Sequence, residues 1–223
     1  KGSVCMQALI RMPNAPRLFS AIALTGVGVF AYAVGVLMQP AAQLVGQDRI
    51  SELVCLQLAF TPERATSIVL SFSEEARVGL AQLLIPGDFT MAWGYGLLLA
   101  GLTGLLAMRL SGKWMRAGAI FMWAPLLASV LDCIENLFLH AIVRQLVEDP
   151  TATIIAILPA MAGVVSTLKW VALCVVTPLY GFAGIYKGIT IDRRATSWIV
   201  YVLLFLSLLS IVMKPIQDIP ACF

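Results

Sequence analysis

Long apolar runs alternate with short polar breaks along this chain. Five runs have the length and composition of membrane-crossing helices: about 18–39, 88–110, 117–143, 154–186 and 197–213. The first carries no charge, and Pro40 follows it. Its Gly26, Gly28 and Gly35 would let another helix approach closely. In the second, Ala92, Gly96, Ala100 and Gly104 fall four apart on one face. Such a stripe of small residues marks close packing with a helix of this chain or of another. The fourth run is longer than a bilayer needs, and Pro159 and Pro178 predict kinks or tilt. In the fifth, Trp198 and Tyr201 sit where an interface would hold them.

The connection 40–87 carries its own pattern. Asp48 precedes a helical face of Ile50, Leu53, Val54 and Leu58. Thr61-Pro62 is a helix start, a hydroxyl cap followed by proline. Ser73-Glu74-Glu75 is another, with acids at the positive end of the helix. Val78, Leu80, Ala81, Leu83 and Leu84 then supply apolar surface. The expectation is short amphipathic helices lying on the membrane or capping the bundle, with a docking surface for another protein as the alternative. Pro86-Gly87 breaks the chain, and Asp88 is expected to cap the next span or to face its interior from the rim.

Composition agrees with the pattern. The 223 residues are 60% apolar and 12% charged, where a soluble domain carries about 25% charged residues. The fold class expected is an all-α membrane protein, one domain over 1–223: a bundle of about five transmembrane helices with short amphipathic helices in the first long loop. No phosphate-binding, dinucleotide-binding or zinc-finger spacing occurs, and no basic run suits nucleic acid. The chain starts with Lys1 rather than Met, which leaves room for an upstream piece such as a processed targeting peptide. Cys133 and Cys174 lie inside apolar runs and read as packing residues. Cys55 and Cys222 fall on one side of the expected membrane and could pair if that side is oxidising.

Charge sets the expected orientation. With five spans, Lys1, Arg11, Arg17, Arg109, Lys113, Arg116, Lys187, Arg193 and Arg194 share one side, and Arg49, Arg64, Arg77, Arg144 and Lys214 share the other. The excess puts the N-terminus on the cytoplasmic (or stromal or matrix) side and the C-terminus on the opposite side.

The third run holds the chemistry. Asp132, Glu135 and Asn136 lie near its middle, and an acid at that depth costs about 2.5–3.5 kcal/mol on insertion scales. The sole lysine or arginine deep inside a span is Lys169. The third and fourth spans are joined by a short turn. Asp132 and Glu135 lie about 24 and 20 Å along the helix from its middle, and Lys169 about 31 Å, at 1.5 Å per residue. Side chains lean toward the N-terminus of their helix, and the lysine stem spans most of the difference. A Lys169–Asp132 pair is expected, with Glu135 second. Two acids against one lysine predict one proton shared across the Asp132–Glu135 pair at neutral pH. The plainer alternative is an ion pair that locks two helices in register. Replacing Lys169 by Met together with Asp132 by Leu is then the natural test.

His140, the one histidine, lies near the end of the third run. It reads as an interfacial histidine, with single axial ligation of a haem or chlorophyll as the sharper alternative. Trp170 beside Lys169 reads as helix packing or as the flank of a cofactor. No metal cage and no Ser/His/Asp set with usable spacing is present.

The stretches Leu58–Ala65 (LAFTPERA), Gly87–Phe89 (GDF), Asp132–Leu137 (DCIENL) and Leu168–Trp170 (LKW) together resemble a group of small, mostly uncharacterised polytopic membrane proteins. Those carry an acid-x-x-Glu-Asn motif in one helix and a lysine in the next. The resemblance covers roughly residues 56–180. It implies that Asp88, Asp132, Glu135, Asn136 and Lys169 act as one group, and it implies no particular activity.

Three functions follow. The first is a non-catalytic structural or assembly subunit of a larger membrane complex, with other membrane chains and lipids as partners and no nucleic acid. The second is a small proton-coupled transporter using Asp132, Glu135 and Lys169, although no inverted repeat is evident. The third is an intramembrane enzyme or binding protein for a lipid, quinone or pigment. The absence of a catalytic signature leans against an enzyme.

Overall fold

The computed structural model describes residues 10, 12–46 and 49–191. Every regular element among them is helical. Helix α1 (Ala15–Tyr32) has Pro16 in its first turn and runs on into a wide π turn, Ala33–Leu37. Four short helices follow: α2 (Gln39–Val45), α3 (Ile50–Gln57), α4 (Pro62–Ser71) and α5 (Glu74–Gln82). Helix α6 (Phe89–Met108) leads to α7 (Gly112–Phe121) and the long α8 (Trp123–Glu148). Helix α9 (Ile157–Val171) passes through a second wide turn, Ala172–Val176, into α10 (Thr177–Ile191).

Four helical stretches are long and apolar enough to cross a membrane: Ala15–Leu37, Glu74–Met108, Gly112–Glu148 and Ile157–Thr190. The burial pattern is that of a chain in lipid. On α8, Leu127, Val130, Ile134 and Leu137 face outward, while Ser129, Asp132, Glu135 and Asn136 face inward. On α9, Met161, Val164, Leu168 and Val171 are exposed and Ser166 and Lys169 buried. Backbone groups are satisfied inside each helix, as hydrocarbon requires. These are the marks of a multi-pass membrane protein. The expected fifth span, 197–213, lies outside the described residues.

Several boundaries differ from expectation for local reasons. The second stretch is not one straight helix. Ile85 is extended (φ −138°, ψ 118°) and the Ile85–Pro86 peptide is cis, so α5 ends before α6 begins. Asp88 makes no capping hydrogen bond to α6; its side chain turns into the protein and is buried. Pro159 does not kink α9, because it falls in the first turn, where its missing N–H would have had no helical partner. Pro178 follows the π turn Ala172–Val176, whose widened ring of hydrogen bonds accommodates the proline, and the Thr177 hydroxyl donates to the Ala172 carbonyl at 2.8 Å. The expected starts at Thr61 and Ser73 are present: Thr61 Oγ1 accepts from the Arg64 N–H at 3.3 Å and Ser73 Oγ from the Ala76 N–H at 3.2 Å.

Helix α6 is the centre of the bundle, packed between α1 and α8. Its small residues are used there. A Cβ on Gly94 would come within 2.6 Å of the Phe30 backbone, and one on Gly101 within 2.6 Å of the Ala23 nitrogen. On its other side Gly96 faces Ser129 of α8. The small-residue stripe therefore serves contacts inside this chain. Helices α2–α5 sit over the far end of α8 and the start of α9. Val45, Leu56, Ile68, Val69, Phe72 and Leu80 share one apolar core with Leu139, Ile142, Val143 and Leu146. This loop covers the bundle with its own apolar face. Cys55 is disulfide-bonded, while Cys133 and Cys174 are free. The expected pairing with Cys222 involves a residue outside the described ones.

Candidate functional site

The helix pair α8–α9 brings its charged residues together. Lys169 Nζ donates to Asp132 Oδ1 at 2.9 Å and lies 3.0 and 2.8 Å from the two Glu135 oxygens. One ammonium therefore bridges both acids; neither is its sole partner. The residues are 3%, 0% and 2% exposed for Asp132, Glu135 and Lys169, so the cluster is shut off from lipid and water alike. Helix α6 completes it: Tyr95 donates its hydroxyl proton to Asp132 Oδ2 at 2.7 Å. One turn earlier on α8, Ser129 donates to the Ala92 carbonyl at 2.6 Å and fixes α8 against α6. The Lys169 ammonium also stands 5.0 Å from the centre of the Trp170 ring.

Asp88 enters the same interior from the turn ahead of α6. It is 7% exposed and feels the charges of Asp132 and Lys169. Asn136 is fully buried, and its side chain closes no hydrogen bond of good geometry. Ser166, one turn before Lys169 on α9, is also fully buried, with its hydroxyl unpaired.

Of the five residues grouped at the outset, Asp132, Glu135 and Lys169 are joined by ion pairs, and Asp88 and Asn136 are buried without a hydrogen bond or ion pair to them. His140 is apart from them. Its Nδ1 lies 3.1 Å from the Ala81 carbonyl of α5, which makes it a pin between α8 and the cap. Trp170 is half-buried, and its indole N–H has no hydrogen-bond partner. Tyr95, Ser129 and Ser166 belong to the site but were not singled out from sequence. Ser129 and Ser166 had a signal: each lies three residues before a charged residue of the cluster, on the same helical face. Tyr95 had little beyond a hydroxyl in mid-span.

No group of three or more His, Cys, Asp or Glu side chains among the described residues is placed to hold a metal ion. No family model matches the chain, and comparisons with curated proteins and with solved structures each return no match. The site has to be read from its own chemistry.

Proposed function

We propose that this multi-pass membrane protein is a small carrier that couples the movement of a solute to that of a proton, with Asp132, Glu135 and Lys169 as the exchanging centre. The observation that carries this reading is a count of charges: two buried carboxyls share one ammonium, and a third buried carboxyl, Asp88, forms no ion pair among the described residues. A knot that only fixes two helices needs one acid for its lysine. Each further buried acid costs stability unless its charge is neutralised. A proton that arrives and leaves does this and makes the cluster responsive. Ionisable residues facing a bundle interior commonly mark proton or ion paths. The two helix irregularities beside the cluster, at Leu83–Asp88 and Ala172–Val176, also support it, because such turns frequently accompany functional sites. The excess of Lys and Arg around 1–17, 109–116 and 187–194 supports an N-terminus on the cytoplasmic (or stromal or matrix) side.

The test needs no knowledge of the solute. Protein reconstituted on a solid-supported membrane is given a pH jump, and the transient charge displacement is recorded. Wild type should give a current that Glu135→Gln and Asp132→Asn reduce severalfold. A silent wild type overturns the carrier reading.

One observation favours a second reading, a subunit of a larger membrane complex. Along α1 and the turn after it, a Cβ on Gly28 or Gly35 would meet nothing within 4 Å among the described residues. Stoichiometric partner chains in native mass spectra of the protein from its own membrane would support this reading over the first.

A further inference from the structure

Asp132 and Glu135 share the ammonium of Lys169, but they differ in what else they accept. Both Asp132 oxygens take a hydrogen bond, Oδ1 from Lys169 at 2.9 Å and Oδ2 from the Tyr95 hydroxyl at 2.7 Å. Glu135 Oε1 accepts from Lys169 at 3.0 Å. Glu135 Oε2 lies 2.8 Å from the same nitrogen, in ion-pair contact, yet accepts no hydrogen bond among the described residues. Tyr95 is a well-held donor. It comes from α6, and its ring packs against the buried cluster of Ala128, Ala172 and Leu173. Asp132 is therefore served by donors from α9 and α6, and Glu135 by the α9 donor alone.

A buried carboxylate depends on the donors that reach it, and an oxygen left without one is costly in a dry interior. Hydrogen bonds to the charged form favour that form. Asp132 has the donor set of a carboxylate, and Glu135 is one donor short. With a proton on Glu135, one ammonium and one carboxylate remain, and their charges balance. When the proton leaves, its bonding pair stays on Glu135, and Lys169 then faces two carboxylates. The remaining acid whose charge reaches Glu135 is Asp88, buried ahead of α6. It forms no ion pair among the described residues and, as an acid, supplies no donor to replace the missing one.

We propose that Glu135 takes up and releases the proton, that Asp132 stays a carboxylate paired with Lys169, and that Tyr95 is the positioning residue that sets this difference. The proton is then not shared evenly between the two acids. The proposal rests on the carrier reading for the proton's movement and names its seat. The test uses the full chain in lipid, with carbon-13 at the side-chain carboxyl of glutamate in one sample and of aspartate in another. Infrared difference spectra are recorded across neutral pH, and the pH-jump current is run beside them. In wild type a protonated-carboxyl band should shift with the glutamate label and be lost in Glu135→Gln. Asp88→Asn silences the third buried acid, and there no part of the band should shift with the aspartate label. Adding Tyr95→Phe, which keeps the ring and removes one hydroxyl, should bring in an aspartate share comparable with that of glutamate. No glutamate band in wild type, or an aspartate share in Asp88→Asn, overturns the assignment, and a pH-jump current alongside leaves the carrier reading standing. A label pattern unchanged by Tyr95→Phe overturns the positioning role. A silent pH jump overturns the carrier reading, while the labels still decide where the proton sits.

Discussion

Between Ser129 and Asn136, helix α8 is held by four buried polar side chains; between Leu139 and Leu146 it is held by four buried apolar ones. Both halves are equally enclosed. The apolar half packs beneath the short helices α2–α5, where contact area and shape decide the energy and small changes have graded effects. The polar half depends on a few atoms 2.7–3.0 Å apart, and there the effect of removing a group depends on which groups are left. Steric fit governs one half and charge complement the other.

The largest effect should come from breaking the complement. Lys169→Met leaves Asp132 and Glu135 facing each other without a cation and should cost about 3–5 kcal/mol, or prevent folding. Replacing Lys169 and Asp132 together is not enough, because Glu135 is bridged as closely as Asp132. The triple change Lys169→Met, Asp132→Leu, Glu135→Gln should recover most of the loss. Unfolding in mixed detergent micelles measures all three. A triple variant as unstable as the single one would mean that the polar half is not governed by charge complement.

The apolar half should behave differently under the same measurement. Ile142→Ala should cost about 2–5 kcal/mol and Ile142→Val about 0.5–1.5 kcal/mol, in proportion to volume removed. Gly101→Ala tests the same principle at the α1–α6 contact, where the new methyl would meet the Ala23 backbone. Overpacking there should cost about 1–3 kcal/mol. A cost at Ile142 that does not scale with volume would erase the contrast between the halves.

The contrast also shows which parts of the molecule could be read from sequence. The Lys169–Asp132–Glu135 bridge was legible because it needs only helix rise and a short turn, and both are local. The caps at Thr61 and Ser73 were legible for the same reason. Asp88 left two readings open, a cap or an inward-facing residue, because its local pattern fits a cap; the extended Ile85 and the packing that bury it are tertiary and decide against the cap. Pro159 leaves α9 unkinked because it falls in the first turn, whereas the interruption expected near Pro178 is present as the wide turn Ala172–Val176. The role of Tyr95 needed the packing of α6 against α8, which periodicity alone does not supply. The smallest local rule gives a modest prediction: Ser73→Ala should loosen the start of α5 by about 1 kcal/mol, read as faster hydrogen exchange confined to the cap.

A still smaller effect separates the charges of the cap from those of the bundle. Glu52 on α3 accepts from Arg49 Nε at 2.8 Å, and Arg49 also donates to the Ser71 hydroxyl at 2.7 Å, tying α3 to the end of α4. The hydrogen bond from Arg49 is the main cause that holds the Glu52 carboxyl below its ordinary value of 4.5. A lowered value in the folded state means stability that is fully present above about pH 4.5 and lost as the pH falls through the folded value. The side chains of the pair are 28% and 37% exposed, so solvent screens it and the contribution should stay under about 1 kcal/mol. Proteolysis or hydrogen exchange in 50–71 should therefore quicken slightly as the pH falls below about 4.5, and Glu52→Gln should remove that dependence. If acid loosens the cap of Glu52→Gln as much as that of wild type, the acid response does not originate at this pair.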